Sequence, residues 1–146
     1  MPFSTTFSNA LLLHLLNNTA IAGLGDASGP LASAVAGSVY VALHTASPAV
    51  GGTQSTNEVA YTGYARVAVA RSGAGWTVTT NTFTNAAQIQ FPICTAGTAT
   101  ATHFSIGYAS TGGNTVVEFG TLNTALAISV NITPQFAASQ LTATLT

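Results

Sequence analysis

The chain contains no lysine, and only Arg66, Arg71, Asp26, Glu58 and Glu118 carry a formal charge among 146 residues. That is 3% charged, against about 25% in an ordinary soluble domain. Two arginines cannot neutralise a run of phosphates, so nucleic acid and anionic membrane surfaces are excluded as principal partners. Cys94 stands alone, which excludes an internal disulfide framework and any cysteine-cluster metal site. Long hydrophobic runs are also missing. The densest stretch, from Leu11 to Leu16, is broken by His14 and falls far short of the about 20 residues that a spanning helix needs. The first basic residue is Arg66, so no secretory signal is expected ahead of that stretch. What is abundant is apolar and small: 47% of residues are hydrophobic and the mean hydropathy is +0.45, the reverse of a disordered composition. The length is that of one domain. A surface built from Thr, Ser, Ala, Asn and Gly offers little charge repulsion, which suits a fixed assembly better than a crowded solution.

Phe7, Leu11, Leu12, Leu15 and Leu16 recur at helical spacing, with Ser4 or Thr6 as N-cap and Asn17–Asn18 as the stop, so a short helix is predicted over 7–17. Residues 20–37 are Gly, Ala and Ser with Pro30 and read as a flexible connector. From Ser38 the period changes to two. Val39, Val41 and Leu43 alternate with Tyr40, Ala42 and His44 as a half-buried strand, and residues 45–58 form a long loop around Pro48 and Gly51–Gly52. Further strands are predicted over 64–71, 76–80, 82–84, 87–91, 102–108, 116–121, 126–132 and 141–145, with a hairpin loop at 110–114. Short strands spaced at about 8–12 residues predict a mainly β chain, an antiparallel sandwich or barrel-like domain. The expected organisation is an N-terminal helix and connector, 1–37, followed by a β-sandwich domain, 38–146.

Chemistry has few candidates. His44 and His103 face away from the apolar residues of their strands, so sheet pairing would bring them near Glu58 in the composition of a two-histidine, one-carboxylate metal site. Exposed histidines making ordinary polar contacts are the simpler expectation. Cys94 has no basic neighbour to activate it and reads as a buried, inert thiol. Phosphate-binding, dinucleotide, nucleophile-elbow and zinc-protease motifs are missing, and Gly23-Leu24-Gly25-Asp26 lacks the flanking strand and third glycine of a dinucleotide loop. No enzyme activity and no cofactor are expected. Tyr61, Tyr64 and Trp76 near Arg66 and Arg71 combine large amphipathic side chains with positive charge, as binding hot spots do; a tyrosine-capped core edge with solvated arginines is the plainer reading.

Tyr40-Val41-Ala42-Leu43-His44-Thr45-Ala46-Ser47-Pro48, Thr56-Asn57-Glu58-Val59, Tyr61-Thr62-Gly63-Tyr64-Ala65-Arg66 and Trp76-Thr77-Val78 come in this order. They are followed by Ala101-Thr102-His103-Phe104-Ser105-Ile106-Gly107 and Ile132-Thr133-Pro134. In these pieces the sequence resembles a family of small tailed-bacteriophage structural proteins, labelled either as capsid cement (decoration) proteins or as tail-fibre proteins. The resemblance implies a β-rich virion component, made in the host bacterial cytoplasm, without a catalytic motif. It implies a cement protein on the capsid surface that binds the major capsid protein as a dimer or trimer. A tail- or fibre-associated structural protein is the alternative.

The expected partner surface combines the helix residues Phe7, Leu11, Leu12, Leu15 and Leu16 with Tyr61, Tyr64, Arg66 and Arg71. Leucines surround the short helix almost completely, so one stripe packed on the sandwich leaves others needing a second surface. An arm docking on a neighbouring subunit or coat protein would supply it; a helix plugging its own domain is the alternative. Arg66 and Arg71, placed on one strand, would meet a partner's carboxylate.

Overall fold

The computed structural model describes residues 3–24 and 30–145. The Ser4 hydroxyl accepts from the Phe7 backbone N–H and starts α1, Thr5–Asn17; Asn18, left-handed at φ 53°, ends it. Both ends follow from side chains that compete for the backbone, serine at the start and asparagine at the stop. Among the described residues nine strands follow: β1 (Ser38–His44), β2 (Val67–Ala70), β3 (Trp76–Thr79), β4 (Thr82–Asn85), β5 (Ile89–Gln90), β6 (Ala99–Gly107), β7 (Val116–Ile128), β8 (Gln135–Phe136) and β9 (Thr142–Thr144). They form three antiparallel sheets in the orders β2-β1-β6-β7, β3-β4-β9 and β5-β8, and none closes into a barrel. The chain is mainly β with one short helix, as its periodicity predicts.

The chain divides into two compact units. The first joins residues 1–38, 70–88 and 136–146, and the second joins 39–69 and 89–135. The sequence sets 1–37 apart from the rest; in the structure α1 lies in one unit with β3, β4 and β9 and packs on β3 and β4. Leu12 and Leu16 are buried, while Phe7, Leu11, Leu13 and Leu15 are half-buried. Trp76 and Phe83, packed edge to face, are the large core residues of this unit. Asn85 is fully buried and completely used: it donates to the carbonyls of Ala87 and Ala137 and accepts from the Leu141 N–H, tying β4 to the segment that leads into β9. The connector is anchored where it is described. Ile21 donates to the Pro30 carbonyl, and the Asn18 amide both donates to and accepts from the Ser33 backbone. Gly25 to Gly29, which include Asp26 and part of the predicted connector, lie outside the described residues.

In the second unit β1 pairs with β6 from Tyr40↔Gly107 to His44↔His103. Val41, Leu43 and Ile106 on one face are fully buried, and so are Ala42, His44 and Ser105 on the other. The predicted strands over 116–121 and 126–132 are drawn differently: β7 runs from Val116 to Ile128, with 122–125 bulging opposite Thr102 between the pairs His103↔Thr121 and Ala101↔Leu126. The chain then turns at Asn131 (φ 68°), leaving Val130 and Ile132 exposed despite their regular alternation. The strand predicted over 64–71 shortens to β2, so Arg66 and Arg71 flank it rather than lie on it.

Candidate functional site

The two arginines point inward, which corrects their expected solvent exposure. Arg66 is only 8% exposed and makes the ion pair of the described residues, with Nε 2.7 Å from Glu58 Oε1 and Nη2 2.8 Å from Oε2. The bidentate carboxylate expected from a partner is therefore the chain's own Glu58. The remaining donors reach the Ala109 and Gly112 carbonyls, Ser55 Oγ and Gln54 Oε1. The planar fork has five N–H donors for these six acceptors, so Nη2, with two hydrogens, shares them among Glu58 Oε2, Ser55 Oγ and Gly112 O. One side chain thus pins the 45–58 loop to the 108–114 loop. Arg71 plays a different part in the first unit. Its Nε and Nη2 donate to the carbonyls of Leu15 and His14 (2.7 and 2.8 Å), and Nη1 donates to Ala36 O. These helix carbonyls lack intrahelical partners, and a cation suits that end of the helix dipole.

The tyrosines are structural neighbours of this network. Tyr64 OH donates to Glu58 Oε1 and accepts from the Leu43 backbone N–H; burial pushes its phenol above the ordinary range. Tyr61 is buried, donates to the Pro92 carbonyl, packs edge-on against Tyr64, and is pushed up to about 12 by the same loss of water. Trp76, grouped with them in the sequence, sits in the core of the first unit with no acceptor for its Nε1 among the described residues. Of the nine expected interface residues, Leu12, Leu16, Tyr61 and Arg66 are buried within the chain, and Phe7, Leu11, Leu15, Tyr64 and Arg71 are half-buried.

Backbone pairing does bring the predicted histidines and carboxylate together, since His44 pairs with His103 on one side and Glu58 on the other. Their side chains part company. His44 Nδ1 lies 2.8 Å from Thr56 O and Nε2 lies 2.7 Å from Ser105 Oγ. A carbonyl can only accept, so the neutral ring is protonated at Nδ1 and accepts the serine proton at Nε2. His103 Nδ1 meets Thr102 Oγ1. Glu58 is spent on Arg66 and Tyr64. Among the described residues no group of three His, Cys, Asp or Glu side chains is placed to hold a metal. His44 is fully buried, against its expected exposure; burial pushes its imidazole below the ordinary 6.5, more strongly than the Thr56 carbonyl and Glu58 pull it up. Cys94 is fully buried, its thiol against the Ala96 and Gly97 carbonyls.

Sequence reasoning missed Gln54, Ser105 and Glu118. Gln54 is fully buried and donates to the Tyr40 carbonyl and to Ser105 Oγ. Its side chain fills the place that a Cβ on Gly107 would take, so that glycine ending a strand is the signal that was there to find. The loop that Gln54 and Arg66 secure borders an open cleft of about 480 Å³, with 49–53 on one side and 115–119 on the other. Glu118 lines it half-buried, and burial raises its carboxyl above the ordinary range while the Phe119 backbone N–H pulls the other way.

Residues 2–144 match the family model described as Podophage GP4 fiber I protein gp80. The chain belongs to that family. The fibre family is one of phage virion structural proteins, so the virion resemblance holds, and the match favours the fibre label over capsid cement. No curated protein matches the chain. Among its described residues this fibre-family member has no helix long and apolar enough to cross a membrane.

Proposed function

We propose that the chain is a non-enzymatic structural component of a phage tail fibre that works as a homo-oligomer on the particle. The observation that carries this reading is the fibre-family match across 2–144. The geometry supports it. Arg66, Glu58, Arg71 and His44 are committed to holding loops and a helix end: Arg66 and Glu58 to each other, Arg71 to α1, and His44 between Thr56 and Ser105. With no lysine and both arginines inward, the chain presents no cationic face to nucleic acid or to an anionic membrane. The capsid cement role, and binding to the major capsid protein, rest on the sequence resemblance alone.

Counting copies in purified particles tests the assignment, together with gold-labelled antibody in electron micrographs. A fibre component is scarce relative to coat protein and labels the tail. Copies in proportion to coat protein, with label over the capsid, would restore the cement reading and overturn this one.

A further inference from the structure

Gln54, Ser105, His44 and Arg66 meet in the interior of the second unit in an order that covalent chemistry can use. Ser105 Oγ lies 2.7 Å from His44 Nε2, and the ring's Nδ1 is held 2.8 Å from the Thr56 carbonyl. This is the arrangement of an activated hydroxyl: a nucleophile, a neutral base that already accepts its proton, and a group that fixes the orientation of the base. Beside the same hydroxyl lies an electrophile. Gln54 Nε2 is 3.4 Å from Ser105 Oγ, and the amide carbon bonded to that nitrogen fills the space left open by Gly107, the next residue on that face of β6. Arg66 Nη1 donates to Gln54 Oε1 at 3.3 Å, and the Tyr40 carbonyl accepts from Gln54 Nε2 at 2.9 Å. We propose that Ser105 and Gln54 join in an intramolecular ester, a covalent brace between the 45–58 loop and β6.

The step balances within the chain. The Gln54 amide turns about its Cγ–Cδ bond and presents its face to Ser105. Ser105 Oγ attacks Gln54 Cδ as His44 Nε2 takes the hydroxyl proton, and the negative charge that develops on Oε1 faces the Arg66 guanidinium. The Cδ–Nε2 bond then breaks, the proton passes from His44 to the leaving nitrogen, and ammonia departs. The Oγ–Cδ bond remains and His44 is neutral again. His44, Gln54 and Ser105 are fully buried and Arg66 is 8% exposed, so the water that would hydrolyse the ester is kept out. Ammonia is protonated once it reaches bulk water, which draws the exchange forward. Gln54 and Ser105 are 51 residues apart, and the link constrains that loop in the unfolded chain as a disulfide would, in a sequence whose single cysteine allows none. Each chain reacts once, on itself, so the brace is a self-modification and acts on no other molecule.

Mass spectrometry of the intact full chain tests this: it should be lighter by one ammonia than the mass its sequence gives. The composition supplies a test of position. With no lysine, and arginine only at 66 and 71, trypsin acting on the denatured chain separates 1–66 from 72–146. In the braced chain these two peptides stay joined. Hydroxylamine, which cleaves esters and meets no Asn-Gly bond in this sequence, should release them. Ser105→Ala should restore the full sequence mass and give separate peptides. His44→Gln should slow joining by about 10²–10⁴-fold, so that its freshly purified chain also digests into separate peptides; both variants should keep the wild-type circular dichroism. A wild-type chain of full sequence mass, whose peptides part without hydroxylamine, overturns the proposal whether or not either variant folds. So does joining that survives either substitution or resists hydroxylamine. None of these results bears on where the protein sits in the particle, so the fibre reading stands or falls separately.

Discussion

Arg66 holds two loops of its own unit together through a buried ion pair and two backbone carbonyls. Removing one partner of a buried, hydrogen-bonded ion pair leaves the other charge uncompensated, so Arg66→Ala should cost about 3–5 kcal/mol in denaturant unfolding. Arg66→Lys should recover little, because one ammonium cannot replace a fork shared among Glu58, Ser55, Gln54 and two carbonyls. The sequence showed the right chemistry, a guanidinium seeking a carboxylate, and hid the partner eight residues upstream across a loop. His44 sets a pH dependence whose sign follows from burial. Its folded value lies below 6.5, so the unfolded chain binds more protons in the window between the two. Its contribution to stability is full above about 6.5 and is lost as pH falls through the folded value. Glu118 acts oppositely: its folded value is raised, so its contribution is full below about 4.5 and is lost as pH rises through the folded value. Thermal unfolding across pH should therefore show a shallower acid-side loss in His44→Gln. Glu118→Gln should be more stable than the wild type at neutral pH.

Elements were legible where a local signal decided them and illegible where a distant contact did. Ser4, Asn18 and the leucine spacing define α1 by themselves, and Ser4→Ala should cost about 1 kcal/mol of stability. Leu16→Ala should cost about 2–5 kcal/mol, because it opens a cavity beneath a helix seated on β3 and β4. β7 was read as two strands because Leu122 to Ala125 break the alternation; in the ladder they are an extra loop of chain within one strand. Val130 and Ile132 continue the pattern past a left-handed Asn131 that no periodicity can foresee. Gly120 marks another long-range constraint. A Cβ there would lie 2.8 Å from the Phe104 ring, so Gly120→Ala should destabilise by about 1–3 kcal/mol, measured by chemical denaturation. The candidate site was least legible of all: its walls are a loop and a strand edge some sixty residues apart, and its acid is one residue in an otherwise ordinary β pattern.

For the whole molecule, the mainly β class was legible because alternation repeats in many short segments. The unit boundaries were not, since they depend on which segments meet. Removing residues 1–18 takes Leu12 and Leu16 from the first unit and leaves the Arg71 donors without the His14 and Leu15 carbonyls. The truncated chain should lose cooperative thermal unfolding of that unit; retention of a sharp transition would show that the helix is dispensable to it. The same unit draws on the first 38 residues, a middle segment and the final 11 positions, 136–146. During synthesis the helix therefore emerges long before β9 exists to complete the sheet, and Asn85 waits for Ala137 and Leu141 to supply its acceptor and donor. The residues of the second unit end at 135, so all of them are synthesised before the last segment of the first. Completing the first unit thus joins the two ends of the sequence, the contacts of greatest sequence separation and of highest loop-closure cost.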